Sequence, residues 1–168
     1  MADILMLEPD AVLADIYRTV FEAAGHTVRR SVSAQDSVFA VDERQPDVII
    51  VELQLVAHSG IEFLYELRSY SEWQDIPVII HSCIPPTEFE DSSGLLSGLL
   101  GVRTYLYKPQ TTLTKLLREV RTIVEPATKL GEVAAGTGAV VEALSKAHAL
   151  STAGPHMPHA AGRHPGTP

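Results

Sequence analysis

The feature that most constrains this chain is a recurring alternation of two kinds of segment. Residues 4–7 (ILML), 47–53 (DVIIVEL) and 77–82 (PVIIHS) are apolar runs too short for helices, and each reads as a buried strand. Residues 27–30 and 103–107 read as two further strands, the first polar enough for a sheet edge. Between them lie stretches with helical spacing. In residues 10–24 the spaced residues are Leu13, Ile16, Tyr17, Val20 and Phe21, and Gly25 stands where a C-terminal cap glycine belongs. Ser33 with Asp36 resembles a capping box that opens a helix to about Arg44, which Pro46 ends. Ile61, Leu64, Tyr65 and Leu67 mark a third helix over 60–70. Residues 92–100, interrupted by Gly94 and Gly98, predict a weak helix, and Leu113, Leu116, Leu117, Val120 and Ile123 stripe a final one over 111–124.

Five strands alternating with five helices predict an α/β fold around a parallel sheet with right-handed crossovers. In such sheets functional groups gather beyond the carboxyl ends of the strands. Those ends carry Glu8 and Asp10, then Glu52, then His81, Ser82 and Cys83, and finally Lys108 followed by Pro109. Three carboxylates, a hydroxyl and a lysine are thus expected along one sheet edge. His81 and Ser82 are neighbours on one strand and point to opposite faces, which sends His81 toward a helix or solvent. Cys83 is expected to be a small buried side chain, and Trp73, in a polar loop, to pack at the surface.

Composition bounds the rest. The chain has 168 residues, 45% of them hydrophobic and 20% charged, the range of one soluble domain with a tail. No apolar run is long enough to cross a membrane, so no membrane partner is expected. The first residues, MADILMLEPD, carry acids where an export signal needs basic residues. A single cysteine forms no internal disulfide or metal cluster, and a cytoplasmic location is expected. Residues 1–125 hold ten Lys and Arg against nineteen Asp and Glu. An acidic body lacks the footprint that phosphate-backbone binding needs, which argues against a nucleic-acid partner.

The chain divides near Pro126. Residues 126–168 hold six Gly, five Pro and no aromatic residue. Residues 1–125 are read as the domain, 126–150 as a linker with a possible short helix over 139–149, and 151–168 as a disordered tail that cannot offset its ordering entropy. His148, His156, His159 and His164 fit no rigid metal site.

The motifs in order resemble the response-regulator receiver family, the CheY-like domains of two-component signalling. ILMLEPD stands where these domains have a strand ending in an acidic pair. PDVIIVELQLVAHSG resembles their third strand and the loop to a helix-opening glycine. IPVIIHSC resembles the fourth strand, ending in a hydroxyl residue, and GVRTYLYKP the fifth, with an aromatic residue and Lys-Pro. The resemblance covers residues 2–124. It implies a flavodoxin-like five-stranded parallel sheet in order 2-1-3-4-5, Ser82 as the pocket hydroxyl, Lys108 as the pocket lysine, Tyr105 as the switch aromatic, and a cis Lys108–Pro109 peptide.

Two positions depart from the family pattern. The phosphoacceptor position holds Glu52 instead of Asp, and the acidic pair reads Glu8-Pro9 followed by Asp10. Aspartyl phosphorylation needs an in-line carboxylate oxygen and Mg²⁺. The extra methylene of Glu52 displaces that oxygen by roughly 1 Å, a shift that can cost about 10²-fold. Pro9 removes a possible metal ligand, leaving Glu8, Asp10 and the Gln54 backbone carbonyl as Mg²⁺ candidates. Three readings of Glu52 stay open: a built-in mimic of the phosphorylated state, a structural ion pair with Lys108, or a true phosphate acceptor.

The expected function is therefore a stand-alone, receiver-like signalling domain and not an enzyme. It acts by protein–protein contact, with impaired or absent phosphorylation. Its partner is a histidine kinase or a downstream effector, and the expected contact face, also a possible homodimer face, is residues 92–124. The alternatives are an active phosphorelay regulator and a flavodoxin-like enzyme or nucleotide binder. The second needs a phosphate-cradling loop, and Glu8-Pro9-Asp10 is acidic and lacks glycine.

Overall fold

The computed structural model describes residues 1–56, 58–92, 94–125, 142–143 and 145–146. Five strands form one sheet: β1 (Asp3–Leu7), β2 (Thr27–Ser31), β3 (Val48–Val51), β4 (Val78–Ser82) and β5 (Val102–Tyr107). Every pairing is parallel and the order is β2-β1-β3-β4-β5. This is the sheet expected from the sequence. β1, β3 and β4 are interior strands, and alternation along them splits the core in two. Leu5, Leu7, Ile49, Val51 and Ile80 face α2 (Ala34–Glu43) and α3 (Gly60–Ser69), against Val38, Val41, Phe63 and Leu67. Ile4, Met6, Val48, Ile50 and Ile79 face α1 (Ala11–Ala23) and α4 (Leu113–Val124), against Phe21, Leu116 and Val120. A sheet buried on both faces needs such continuous apolar strands.

Local chemistry sets the helix ends. Asp10 Oδ1 accepts from the Val12 and Leu13 amides at 2.8 and 3.0 Å and starts α1, while Gly25 at φ 85° turns the chain out of it. Ser33 caps α2 by accepting from the Asp36 amide. The full reciprocal capping box forms elsewhere, at α3: Ser59 accepts from the Ile61 amide, and Glu62 reaches back to the Ser59 amide at 3.2 Å. A glutamate spans that return, where the shorter Asp36 makes no such bond.

Four expectations are corrected. The weak helix over 92–100 is not α-helical: Pro86–Ser92 winds as 3₁₀ turns and Leu95–Leu99 as one π turn. Gly94 and Gly98 face open space, so no side chain there secures a regular helix by packing. Trp73 is only 4% exposed, because a 3₁₀ turn over Ser71–Trp73 folds it inward against Tyr70 with ring centres 4.2 Å apart. Cys83 is exposed, lying one residue past the end of β4. Lys108–Pro109 is trans, with Pro109 inside a single 3₁₀ turn. The tail reading over 151–168 lies outside the described residues, as does most of 139–149, of which residues 142, 143, 145 and 146 are helical.

Candidate functional site

The carboxyl ends of β1, β3, β4 and β5 bring Glu8, Glu52, Ser82 and Lys108 to one point. Register does this. Leu7 pairs with Val51, Val51 with Ile80 and Ser82 with Tyr107, so Glu8 and Glu52 emerge side by side and Lys108 leaves β5 one step past the partner of Ser82. The Glu52 amide donates to the Leu7 carbonyl at 2.9 Å and holds the end of β3 beside the end of β1. Gly60 lets α3 start directly over this turn. A Cβ there would lie 2.5 Å from the Glu52 carbonyl oxygen and 2.8 Å from Leu53 Cα, both backbone atoms that cannot swing away.

Lys108 sits between the two glutamates. Its Nζ is 2.5 Å from Glu52 Oε2 and 2.6 Å from Glu8 Oε2. Glu8 and Glu52 are 3% and 4% exposed, and the lysine side chain 8%. Every carboxylate oxygen of the pair has a donor. Glu8 Oε1 accepts from the Asp10 amide at 3.1 Å. Glu52 Oε1 accepts from the Ser82 hydroxyl at 2.5 Å and from the Gln54 amide at 3.0 Å. Buried charges persist only when paired and hydrogen-bonded in this way. Burial on its own would raise the Glu52 carboxyl, but the Gln54 amide, the Lys108 ammonium and the Ser82 hydroxyl outweigh it and hold its pKa below the usual value. Burial likewise pulls the Lys108 ammonium down, and its bonds to Glu52 and Glu8 reverse that, leaving its pKa raised.

From Ser82 the contacts run outward. The Ile84 amide donates to Ser82 Oγ at 3.1 Å, and Tyr105 donates its hydroxyl to the Ile84 carbonyl at 2.7 Å. Glu52 is thereby linked through Ser82 and Ile84 to Tyr105. The Tyr105 phenol is pushed up to about 12, first by burial and then by the Glu52 charge, against its coupling to Ser82. Tyr105 lines a mostly apolar cavity of about 360 Å³ with Pro86, Phe89, Leu96 and Val102.

The other sequence-derived positions fall outside this cluster. Asp10, expected in the acidic pocket, is exposed and its carboxylate caps α1. His81 points to the opposite face, 4% exposed and edge-on to Tyr17 at 5.1 Å. Burial, then Lys108, lowers its imidazole to about 4, against the pull of Glu52. One contributor escaped sequence reading. Arg30, on the edge strand β2, donates to the Glu8 and Pro9 carbonyls at 2.9 and 2.8 Å and holds the loop that carries Glu8. Nothing in the segment TVRRS separates it from Arg29, which instead pairs with Asp3 at 2.8 Å.

The donor set does not fit Mg²⁺, which takes near-octahedral oxygens at about 2.0–2.1 Å. Glu8 and Glu52 share an ammonium, and Asp10 is engaged at the helix start. Among the described residues, no group of three or more His, Cys, Asp or Glu is disposed to hold a metal. No helix among them is long and apolar enough to cross a membrane.

Comparison with known proteins gives a consistent result. The family described as response regulator receiver domain matches residues 4–121. The KDP operon transcriptional regulatory protein KdpE of Escherichia coli K12 is 31% identical over 109 residues, covering 65% of this chain and 45% of KdpE. Protein PilH of Pseudomonas aeruginosa is 26% identical over 122 residues, covering 71% of this chain and 98% of PilH. The chain spans about half the length of the first two transcriptional regulators it matches. Among solved structures, chemotaxis protein CheY4 of Vibrio cholerae superposes with a TM-score of 0.65 at 19% identity, over 73% of this chain and 98% of CheY4, and shares its fold.

Proposed function

The chain belongs to the response regulator receiver domain family, and from that premise we propose that it signals by protein–protein contact, with phosphoryl transfer to position 52 impaired or absent. The observation that carries this reading is the state of Glu52. Both of its oxygens are engaged, by Lys108 on one side and by Ser82 and the Gln54 amide on the other. A nucleophile needs a free oxygen aimed at the donor phosphorus. Here the longer side chain already places negative charge against the hydroxyl and the lysine. Glu52 acts as a permanent substitute for the phosphorylated state, and the link through Ser82 and Ile84 to Tyr105 carries that state toward the surface.

The contact face in this reading comprises β5, the turn Leu95–Leu99 and α4. Leu95 and Leu99 are 37% and 60% exposed, and the cavity beside Tyr105 opens next to them. Arg103, Lys115 and Arg118 are exposed on the same elements of a chain whose net charge is −8. That local reversal of charge suits a signalling partner, kinase or effector, that offers an apolar anchor flanked by acidic groups.

The test is phosphorylation itself. Incubation of the full chain with acetyl phosphate and Mg²⁺ is expected to give no stoichiometric phosphoprotein by intact mass. Glu52→Asp is expected to label slowly at most, and Glu52→Asp combined with Pro9→Asp to label better. Ready, stoichiometric labelling of the unmodified chain at Glu52 would overturn the reading and assign it to an active phosphorelay.

A further inference from the structure

The place between Glu8 and Glu52 is a cation site by construction. Two buried carboxylates that face each other must share a proton or hold a positive charge between them, and here the Lys108 ammonium contacts both. With Nζ 2.6 Å from one and 2.5 Å from the other, the facing oxygens are at most about 5 Å apart. An ammonium shared by both carboxylates fills that gap. The chain supplies the ammonium. Lys108 follows β5 directly and enters the site from a backbone held by the 3₁₀ turn Lys108–Gln110. That turn is closed by the Thr111 amide donating to the Lys108 carbonyl at 3.1 Å and by the Thr111 hydroxyl donating to the Tyr107 carbonyl at 2.8 Å.

We infer that Lys108 is the resident cation of this pocket, an internal ammonium that takes the place of a divalent metal and makes the pocket complete without one. Three observations carry this. The lysine contacts both glutamates rather than one. The remaining carboxylate oxygens, Glu8 Oε1 and Glu52 Oε1, each have a donor already, and Glu52 Oε1 has two, so an entering metal competes with bonds already made at both glutamates. Asp10, the other acid near this edge, is turned to the start of α1 and supplies no third inward ligand. A divalent ion entering this site would also meet a buried positive charge at bonding distance from both of its ligands. The inference stands on pocket geometry alone, and its test uses no phosphoryl donor, so it fails or survives separately from the signalling reading.

The experiment compares the full chain with Lys108→Met in their response to MgCl₂ and MnCl₂ at constant ionic strength. For the unmodified chain the expected result is no saturable heat of binding, no shift in melting temperature, and no selective broadening by Mn²⁺ of the Gln54, Ser82 and Lys108 amide signals. In Lys108→Met the glutamates lose their counter-charge. The expected result is then a saturable rise in melting temperature with either metal, and Mn²⁺ broadening centred on those three amides. Adding Glu8→Gln to Lys108→Met is expected to abolish that response. Saturable Mg²⁺ binding by the unmodified chain with broadening at Gln54 and Ser82 would overturn the inference. So would a folded Lys108→Met that ignores both metals. Should Lys108→Met not fold, Lys108→Gln, which keeps a polar head group, replaces it, and the titration of the unmodified chain remains decisive in its own right.

Discussion

Ser82 donates its hydroxyl to Glu52 Oε1 across 2.5 Å, joining the end of β4 to the end of β3 inside a buried site. The bond is short because the acceptor is charged. It also ties two consequences together, since Ser82 Oγ accepts in turn from the Ile84 amide, whose residue holds the Tyr105 hydroxyl.

Ser82→Ala should therefore be felt twice. Glu52 Oε1 keeps only the Gln54 amide, and the Ile84 amide loses its acceptor. A loss of about 1–3 kcal/mol is expected in urea unfolding. The tyrosine signal of Tyr105 should shift in the same variant while the rest of the spectrum holds. An unchanged Tyr105 would show that the pocket and the cavity wall are not coupled.

Glu52→Gln and Lys108→Met should differ in severity. Glu52→Gln leaves Lys108 paired with Glu8 and keeps an acceptor for Ser82, so it should cost no more than about 1–2 kcal/mol. Lys108→Met strands two buried carboxylates and should cost about 3–5 kcal/mol. Both are read from chemical denaturation at neutral pH. Equal costs would mean that Glu8 does not share the lysine.

The pH dependence should come first from histidine. Burial lowers His81 to about 4, with Lys108 adding to the effect and Glu52 opposing it. Burial also lowers His26, whose ring nitrogens have no partner; the chain N-terminus and Arg121 act in the same direction, Glu125 and Asp47 against it. The unfolded chain takes up these protons near 6.5, before the folded one does. Stability is thus full above about pH 6.5 and declines as pH falls toward 4, by up to about 3 kcal/mol from His81. Glu52 is lowered from a carboxylate value, so its contribution is lost only at still lower pH. Urea midpoints of His81→Leu with His26→Leu should be flat from pH 7 to 5. A slope in that variant as steep as in the unmodified chain would refute the assignment.

The domain boundary is expected just past α4, which ends at Val124. A chain cut after Pro126 should melt within a few degrees of the full chain, because every described residue of the two core clusters comes before that point. A drop beyond about 8 °C would mean that later residues pack on the body.

Much of this molecule could be read from residue order. Apolar runs such as VIIV and VIIH can be stable only when buried on both faces, and helical stripes such as the one from Leu113 to Ile123 can only cover them. The parallel sheet followed from βα alternation, and its strand order from resemblance to a family. Glu8, Glu52, Ser82 and Lys108 were legible as neighbours because each stands at or just past the carboxyl end of a strand, whereas Asp10, read the same way, lies outside the cluster. What residue order could not show was where each side chain would spend its bonds. Asp10 and Glu8 are two residues apart, yet one caps a helix and the other binds Lys108 one hundred residues away. Trp73 and Cys83 exchanged their expected places because loop geometry, not polarity, decides burial there. Arg30 gained its role from an edge strand lying beside the Glu8 loop. Patterns along the chain report which elements form, because periodicity is local. Which charges meet depends on register between strands far apart in sequence, and only the assembled sheet sets that.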